Sequence, residues 1–162
     1  MAGIRQRRVE ADYIKINDTF VLMGTGFESL DEKPNAQTSE KRYVNDASTT
    51  QMITGYKWAE EFSGDQIKSD EAIEFITSIG KELKTGEDAI TEVIKIDLDK
   101  PASTEGSFYA RKFKVSVQVD EFPNNDGDLG LSGSFLGIGD AEIGSFAIES
   151  KTFTKGFTAA TV

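Results

Sequence analysis

The 162-residue sequence predicts a mainly β fold, a two-sheet antiparallel β-sandwich or barrel-like domain with one flanking α-helix at about residues 69–84. Runs in which apolar and polar residues alternate with period 2, as in half-buried strands, outnumber helical runs by about eight to one. Clusters of Asn, Asp and Gly separate these runs, as turns do between strands. The sequence contains no internal repeat and no linker-like segment, so we expect a single domain over residues 1–162.

The N-terminal part predicts an arm followed by short strands. Residues 1–10 form a basic arm, which we expect to contact an acidic neighbour through Arg5, Arg7 and Arg8. Behind the arm, residues 12–16 alternate, Asn17-Asp18 favours a turn and residues 20–23 are apolar, which together predict a hairpin. Residues 25–31 predict a further strand.

Residues 33–51 predict a long loop, because they include Pro34, are rich in Asn, Ser, Thr and Gln, and show no sustained periodicity. A loop of this length in a compact domain is usually functional or disordered. Its basic and aromatic centre suits contact with an acidic partner surface and consists of Lys41, Arg42 and Tyr43. A surface excursion without a partner is the alternative.

The next run returns to strand character, with Tyr56 and Trp58 on one face and a slip in the pattern near Ala59 that is typical of a bulge. Residues 69–84 then show helical periodicity, with Ser69 as the expected N-cap and Gly86 closing the C-terminus. The apolar stripe of this helix, which must lie on a sheet, is Ala72, Phe75, Ile76, Ile79 and Leu83, with Ile73 at its edge.

Residues 91–99 alternate strongly and predict a strand with one buried face. We expect the apolar members to face the core: Ile94, Ile96 and Leu98. We expect the charged members to face solvent: Lys95, Asp97 and Asp99.

The C-terminal third predicts a meander of strands. Its first strand has an apolar face, Val115, Val117 and Val119, and a polar face, Ser116, Gln118 and Asp120. Asp126-Gly127 favours a tight hairpin turn, because these residue types accept positive φ values. Strand-like runs follow at residues 130–139 and 143–148, and residues 154–162 form a C-terminal tail.

The composition excludes several classes of catalytic site. The chain has no cysteine and no histidine, which excludes disulfides, thiolate metal sites and nucleophilic triads that need histidine. None of its 28 acidic residues forms a distinctive pair for glycoside hydrolysis. Asn124, Asp126 and Asp128 have the spacing of a calcium loop but lack its glycine and its final glutamate, which favours a plain turn. We expect a protein that is not an enzyme and needs no metal or cofactor.

The formal net charge is −10, and it is unevenly distributed. The 36 consecutive residues 115–150 contain seven acids and no Lys or Arg. Such a surface repels nucleic acid, although solubility alone also accounts for acidic charge. No apolar run approaches the roughly 20 residues of a membrane span, and the basic N-terminus lacks the apolar segment of a signal peptide. We expect a soluble protein made in the cytoplasm.

Across residues 112–146 the sequence resembles the tail tube proteins, or major tail proteins, of long-tailed, non-contractile bacteriophages. The likeness lies in the valine-alternating strand, the acidic Asn-Asp-Gly turn, the Gly/Ser-alternating strand and the segment Gly139-Asp-Ala-Glu-Ile-Gly-Ser-Phe146. It extends to the order of parts along nearly the whole chain: basic arm, hairpin, long polar loop, strand, single helix, strands. Tube proteins of contractile tails and of related secretion systems share the fold that this resemblance implies.

The resemblance implies a structural protein of the virion tail, with six copies per ring and rings stacked into a hollow tube. DNA would pass through the lumen without specific binding, and a tape measure protein and tail initiator and terminator proteins would be partners. By position, the loop at Lys41, Arg42 and Tyr43 would contact the next ring. The arm with Arg5, Arg7 and Arg8 would contact a neighbouring subunit.

Because the alternate face of the valine strand is polar and partly acidic, we hypothesise that Ser116, Gln118 and Asp120 face the lumen. The alternative, from a different class, is a monomeric β-sandwich module that binds carbohydrate or another surface ligand. Tyr56 and Trp58 would then form its stacking platform. A hydrolase with two catalytic carboxylates is a third class, which no residue pattern supports.

Overall fold

A computed structural model describes residues 3–161, so residues 1, 2 and 162 of the predicted terminal segments lie outside the described range. The prediction of a mainly β domain with one helix is confirmed. The strands are β1 (Glu10–Ile16), β2 (Thr19–Leu22), β3 (Phe27–Lys33), β4 (Ala36–Lys41), β5 (Thr50–Tyr56), β6 (Ala59–Asp65), β7 (Ile90–Pro101), β8 (Ser107–Glu121), β9 (Asn124–Asn125), β10 (Asp128–Gly137), β11 (Glu142–Ala147) and β12 (Thr152–Lys155). The α-helix is α1 (Glu71–Lys81), and single 3-10 turns cover Arg7–Val9 and Gly86–Ala89.

Strand β8 organises the sheet, because its 15 residues are long enough to pair with three other strands. One edge of β8 pairs with β7, while the other edge pairs first with β11 and then with β10. The main strand order is β2-β1-β7-β8-β10-β6-β3, with every pair antiparallel, and β12 extends β11. The sheet curls into a half-barrel.

Apolar cores lie on both faces of the central strands. The larger core fills the half-barrel beneath α1 and includes Ile14, Phe62, Ile76, Val115 and Phe135. The smaller core lies on the opposite face, where β11 folds over β1 and β7, and consists of Tyr13, Ile94, Ile96, Ala110 and Phe146. Strands β1 and β7 are therefore covered on both sides.

This double coverage corrects the prediction for residues 91–99. Lys95 is only 2% exposed and Asp97 only 6%, although both were expected to face solvent. Leu98, expected in the core, is exposed at 36%, because the second core ends before it. The alternation identified the two faces of β7, but the packing of distant strands decided that both faces are buried.

Helix α1 is shorter than predicted at both ends. Asp70, not Ser69, is the N-cap, and its Oδ1 accepts a hydrogen bond from the Ile73 amide at 3.0 Å. At the C-terminus, Leu83 adopts a left-handed φ of 54° directly after the last turn, whereas Gly86, with a φ of 58°, begins the second 3-10 turn instead of closing the helix. Leu83 is therefore exposed instead of joining the apolar stripe, whereas Ile73 is buried in the core.

The segment 33–51, predicted as a long irregular loop, is largely a β-hairpin. Strands β4 and β5 form a separate two-stranded sheet, and residues 42–49 connect them. Nearly every side chain of this hairpin is exposed, so no apolar alternation marked its strands. A break at Lys57-Trp58, rather than a bulge near Ala59, separates β5 from β6.

The C-terminal tail predicted over 154–162 is partly ordered against the domain. It begins inside β12, and further along the Thr158 carbonyl accepts from the Ser103 amide at 2.8 Å. The Ala160 amide donates to the Pro101 carbonyl at 3.1 Å. Backbone pairing therefore holds this segment beside the end of β7.

Candidate functional site

The polar side chains of β8 lie on the face that points away from the larger core. Val115 and Val117 are buried in that core, whereas Gln118 and Asp120 are exposed and Ser116 is half-buried. Gln118 Nε2 donates a hydrogen bond to Asp120 Oδ1 at 2.6 Å, so these two side chains share one surface. The structure thus brings together the three residues that the sequence analysis singled out on this strand.

Strand register continues this surface across β10, β6 and β3. Ser134 lies opposite both Gln118 and Glu61, and Glu61 lies opposite Asp31. In the adjacent row, Ser63 lies between Ser132 and Ser29, and the hydroxyls of Ser29 and Ser63 are 2.7 Å apart. We call this four-strand surface the polar face: Ser116, Gln118, Asp120, Ser132, Ser134, Glu61, Ser63, Ser29 and Asp31.

The polar face depends on a close approach between β8 and β10. The register shifts between Ser132 and Gly133, which marks a β-bulge. A Cβ atom at Gly133 would lie 2.0 Å from the backbone oxygen of Gln118, so only glycine fits there.

The polar face carries mostly negative charge. Its acids are Asp31, Glu61 and Asp120, and basic side chains occur only at its border. Lys33 at this border places its ammonium 2.8 Å from the Glu61 carboxylate, which neutralises both charges locally. Lys114, the other border residue, is exposed at the end of the same face of β8. Small hydroxyl and acidic groups without free guanidinium groups offer little to hold a phosphate backbone.

The hairpin of β4 and β5 projects from the domain and carries Lys41, Arg42 and Tyr43. All three side chains are exposed, and the connecting loop is closed by the Tyr43 amide, which donates to Asp46 Oδ2 at 2.9 Å. Apolar side chains that are more than half exposed cluster on this element: Tyr43, Val44, Met52, Ile53 and Tyr56. Contiguous exposed apolar groups mark interaction surfaces on soluble domains.

The arginines of the N-terminal arm contact their own chain in the described monomer. Arg5 Nε and Nη2 each donate to the Asp99 carboxylate at 2.8 Å, and this contact holds the pKa of Asp99 below its usual value. Arg7 bonds the buried carboxylate of Asp12. Arg8 is exposed and donates only to the side chain of Gln6, at 2.7 Å. Contact of Arg5, Arg7 and Arg8 with a neighbouring subunit stays a prediction.

A buried ionic cluster lies beside the arm and was missed by the sequence analysis. Lys95 Nζ on β7 bonds Glu60 on β6, and it lies 2.7 Å from Asp12 Oδ1 on β1. Burial raises the pKa of Glu60 to about 7, against the opposing attraction of Lys95. Desolvation opposes the charge on Lys95, but the carboxylates of Glu60 and Asp12 together hold its pKa above the usual value. The cluster joins both sides of the half-barrel.

A second ionic contact extends the cluster to the edge strand β3. Arg111 donates to both carboxylate oxygens of Glu32, at 2.6 and 3.0 Å. Trp58 Nε1 also donates to Glu32 at 2.6 Å. Burial alone would raise the pKa of Glu32, but the hydrogen bonds from Arg111 and Trp58 lower it overall. A signal for the burial of Glu60 was present in the sequence, since Glu60 falls in phase with the core residue Phe62.

Tyr56 and Trp58, the predicted stacking platform, line one cavity of about 750 Å³. The indole of Trp58 stacks on Phe113 with a centroid distance of 3.8 Å and an angle of 9°, so one of its faces is covered. Tyr56 is exposed at the end of β5. The structure brings these two residues to one cavity, with a single indole face left for a ligand.

Asn124, Asp126 and Asp128 lie at the hairpin between β9 and β10. Asn124 Oδ1 accepts from the Gly127 amide at 2.9 Å, and Asp126 and Gly127 have φ values of 52° and 96°. These values match the tight turn that the sequence predicted.

Within residues 3–161, no helix is long and apolar enough to cross a membrane. Comparisons of the sequence with protein-family models and with curated proteins gave no match.

Proposed function

We propose that this protein polymerises as stacked hexameric rings into the tail tube of a bacteriophage, a hollow conduit for DNA ejection. The observation that carries the proposal is the polar face, a four-strand surface of small hydroxyl, amide and acidic side chains. DNA is a polyanion, and a wall that carries more acidic than basic groups, with the basic side chains only at its border, repels DNA weakly instead of holding it. In the proposed ring, Ser116, Gln118 and Asp120 line the lumen.

The curled sheet supports assembly into a closed ring. The half-barrel ends in two edge strands, β2 and β3, within the described part of the chain. Unpaired strand edges favour association with other strands, and closure of a barrel removes them. Six copies placed side by side would bury these edges between neighbours. Arg8 of the arm is exposed, and we expect it to contact such a neighbour.

The projecting hairpin supports stacking of one ring on another. Its exposed apolar side chains have no partner in the described monomer. Burying them against another copy would stabilise the contact by about 25 cal/mol for each Å² of apolar area removed from water. In the proposed tube, Lys41, Arg42 and Tyr43 contact the adjacent ring. The tape measure, initiator and terminator proteins of a tail complete the set of proposed partners, and the virion tail is the proposed location.

Electron microscopy of the purified protein tests the assembly, with hexameric rings or tubes as the expected result. Cysteine labelling tests the lumen, because the chain has no cysteine of its own. A bulky maleimide is expected to modify Gln118→Cys much more slowly in capped, intact tubes than in monomer. Glu71→Cys is the matched control, since α1 covers the opposite face of β8 and this exposed site is expected to react equally in both forms. Equal rates for Gln118→Cys in tubes and monomer would contradict the lumen assignment.

The cavity beside Tyr56 and Trp58 favours a second candidate, a monomeric module that binds carbohydrate or another surface ligand. A sugar ring stacked on the free indole face would change the fluorescence of Trp58, the only tryptophan. A fluorescence titration with oligosaccharides distinguishes the two functions. Saturable quenching by a protein that stays monomeric at high concentration would support the module and contradict the tube.

A further inference from the structure

A groove opens on the side of the domain away from α1. It has a volume of about 750 Å³ and lies beside the edge strand β2, the end of β7 and the start of β8. Its apolar lining includes Leu22, Leu98, Phe108 and Ile148, and its acids are Glu105 and Glu149. We call this surface the acidic groove.

The acidic groove is formed before any partner binds. The Ile148 amide donates to the Gly106 carbonyl at 3.2 Å, which ties the two walls together. Two of its apolar lining residues are accessible to solvent, since Leu22 is 51% exposed and Leu98 is 36% exposed. Neither Glu105 nor Glu149 has an ion-pair partner within residues 3–161, so the groove combines uncovered apolar area with uncompensated negative charge.

The hairpin tip, residues 41–44, has the complementary chemistry. Tyr43 and Val44 are exposed apolar side chains, and Lys41 and Arg42 precede them. In the described part of the chain, neither of these two basic side chains forms a salt bridge. The cavity at Trp58 offers no such match, because two lysines, Lys57 and Lys114, line it.

We propose that the acidic groove of one copy receives the hairpin tip of a second copy. Tyr43 and Val44 cover the apolar lining, while Lys41 and Arg42 face Glu105 and Glu149. This inference rests on the proposed function, for which it names the receiving surface of the ring-to-ring contact. Donor and receptor are different surfaces, so the contact is head-to-tail and propagates from copy to copy.

Reciprocal charge reversal tests the docking. Lys41→Glu/Arg42→Glu reverses the hairpin tip, and Glu105→Lys/Glu149→Lys reverses the groove. Each variant alone is expected to self-associate at least about tenfold more weakly than the wild type, measured by sedimentation and electron microscopy. An equimolar mixture is expected to regain association, because each tip then meets a groove of opposite charge.

Glu87→Lys/Asp88→Lys is the matched control, since it makes the same charge change at exposed positions of the second 3-10 turn. This control is expected to associate like the wild type. All the reversed residues are exposed, and circular dichroism checks that each variant folds. A second measurement is a mixture of Val44→Cys and Leu98→Cys, which is expected to give a disulfide-linked dimer on oxidation, unlike a mixture of Val44→Cys and Glu71→Cys.

The outcomes separate this inference from the proposed function. If the groove variant forms rings and tubes like the wild type, the docking is overturned while the tube function stands. The same holds if the equimolar mixture of the two charge-reversal variants regains no association. If the wild type forms only head-to-tail chains that the groove variant abolishes, the docking stands and the tube function fails. The docking is overturned if the wild type stays monomeric at millimolar concentration and the mixture of Val44→Cys and Leu98→Cys gives no cross-link.

Discussion

Replacing Glu60 with glutamine is expected to remove one component of the pH dependence of stability. The Glu60 side chain is fully buried. Its Oε2 bonds Lys95, and its Oε1 has no hydrogen-bond partner among residues 3–161. Burial, opposed in part by the nearby Lys95 ammonium, raises its pKa from 4.5 to about 7. Between these two pH values the folded protein keeps a proton that the unfolded chain has released. The free energy of unfolding therefore falls as the pH rises through this window and is constant above it.

The displacement of the pKa sets the size of the effect. Each pKa unit corresponds to about 1.4 kcal/mol, so the full loss of stability from Glu60 is about 3 kcal/mol. About 2 kcal/mol of this loss falls between pH 5.5 and pH 8. Glutamine does not titrate, so the stability of the variant relative to the wild type is expected to rise by about 2 kcal/mol between these pH values.

Urea unfolding at pH 5.5 and at pH 8, followed by Trp58 fluorescence, measures this difference. Both pH values lie above the isoelectric point of about 4.5, where the protein is least soluble. Glu61→Gln is the matched control, because it removes a carboxylate at the next position of β6 from an exposed side chain. Its stability relative to the wild type is expected to change by less than about 0.5 kcal/mol between the two pH values.

A relative stability of Glu60→Gln that stays constant within about 0.5 kcal/mol would refute the reasoning. It would show that Glu60 keeps one protonation state across the window, so that attraction to Lys95 outweighs the cost of burial.

Three further substitutions test the packing. Gly133→Ala is expected to lower the free energy of unfolding by more than about 2 kcal/mol, because its Cβ would overlap a backbone oxygen. Gly55→Ala, the control in open space, is expected to change it by less than about 0.5 kcal/mol. Equal thermal midpoints for the two variants would contradict the close approach at Gly133. Ile76→Ala removes a fully buried side chain and is expected to cost about 2–5 kcal/mol in urea unfolding, with a smaller loss contradicting its place in the core. Trp58→Phe removes a hydrogen-bond donor to Glu32 and is expected to lower the free energy of unfolding, followed by thermal unfolding, by about 1–2 kcal/mol. An unchanged thermal midpoint would show that Arg111 alone satisfies the Glu32 carboxylate.

Local sequence patterns were sufficient for several elements of the fold. Asn17-Asp18 and Asp126-Gly127 form the predicted turns, because positive φ at these positions is a property of the residues themselves. The alternation of β8 correctly separated Val115 and Val117 from Gln118 and Asp120. The end of α1 was predicted less well, since the left-handed φ falls on Leu83, a residue type that rarely adopts it.

The candidate site was predictable only in part from the sequence. The faces of β8 follow from period 2, whereas the extent of the polar face depends on which strands lie beside β8. Those partners, β10, β6 and β3, come from chain segments far apart in the sequence. The strands of the hairpin escaped prediction because both of their faces are exposed, so no apolar periodicity marks them.

The sequence by itself determined the fold class, the single helix, the tight turns and the uneven negative charge, because these depend on residue types and on spacings of a few positions. The tertiary structure alone decided that Lys95, Asp12 and Glu60 are buried together. Their burial requires β6 to curl over one face of β7 while β11 folds over the other. Alternation along one strand assigns side chains to two faces, but only the packing of distant strands decides which of those faces meets water.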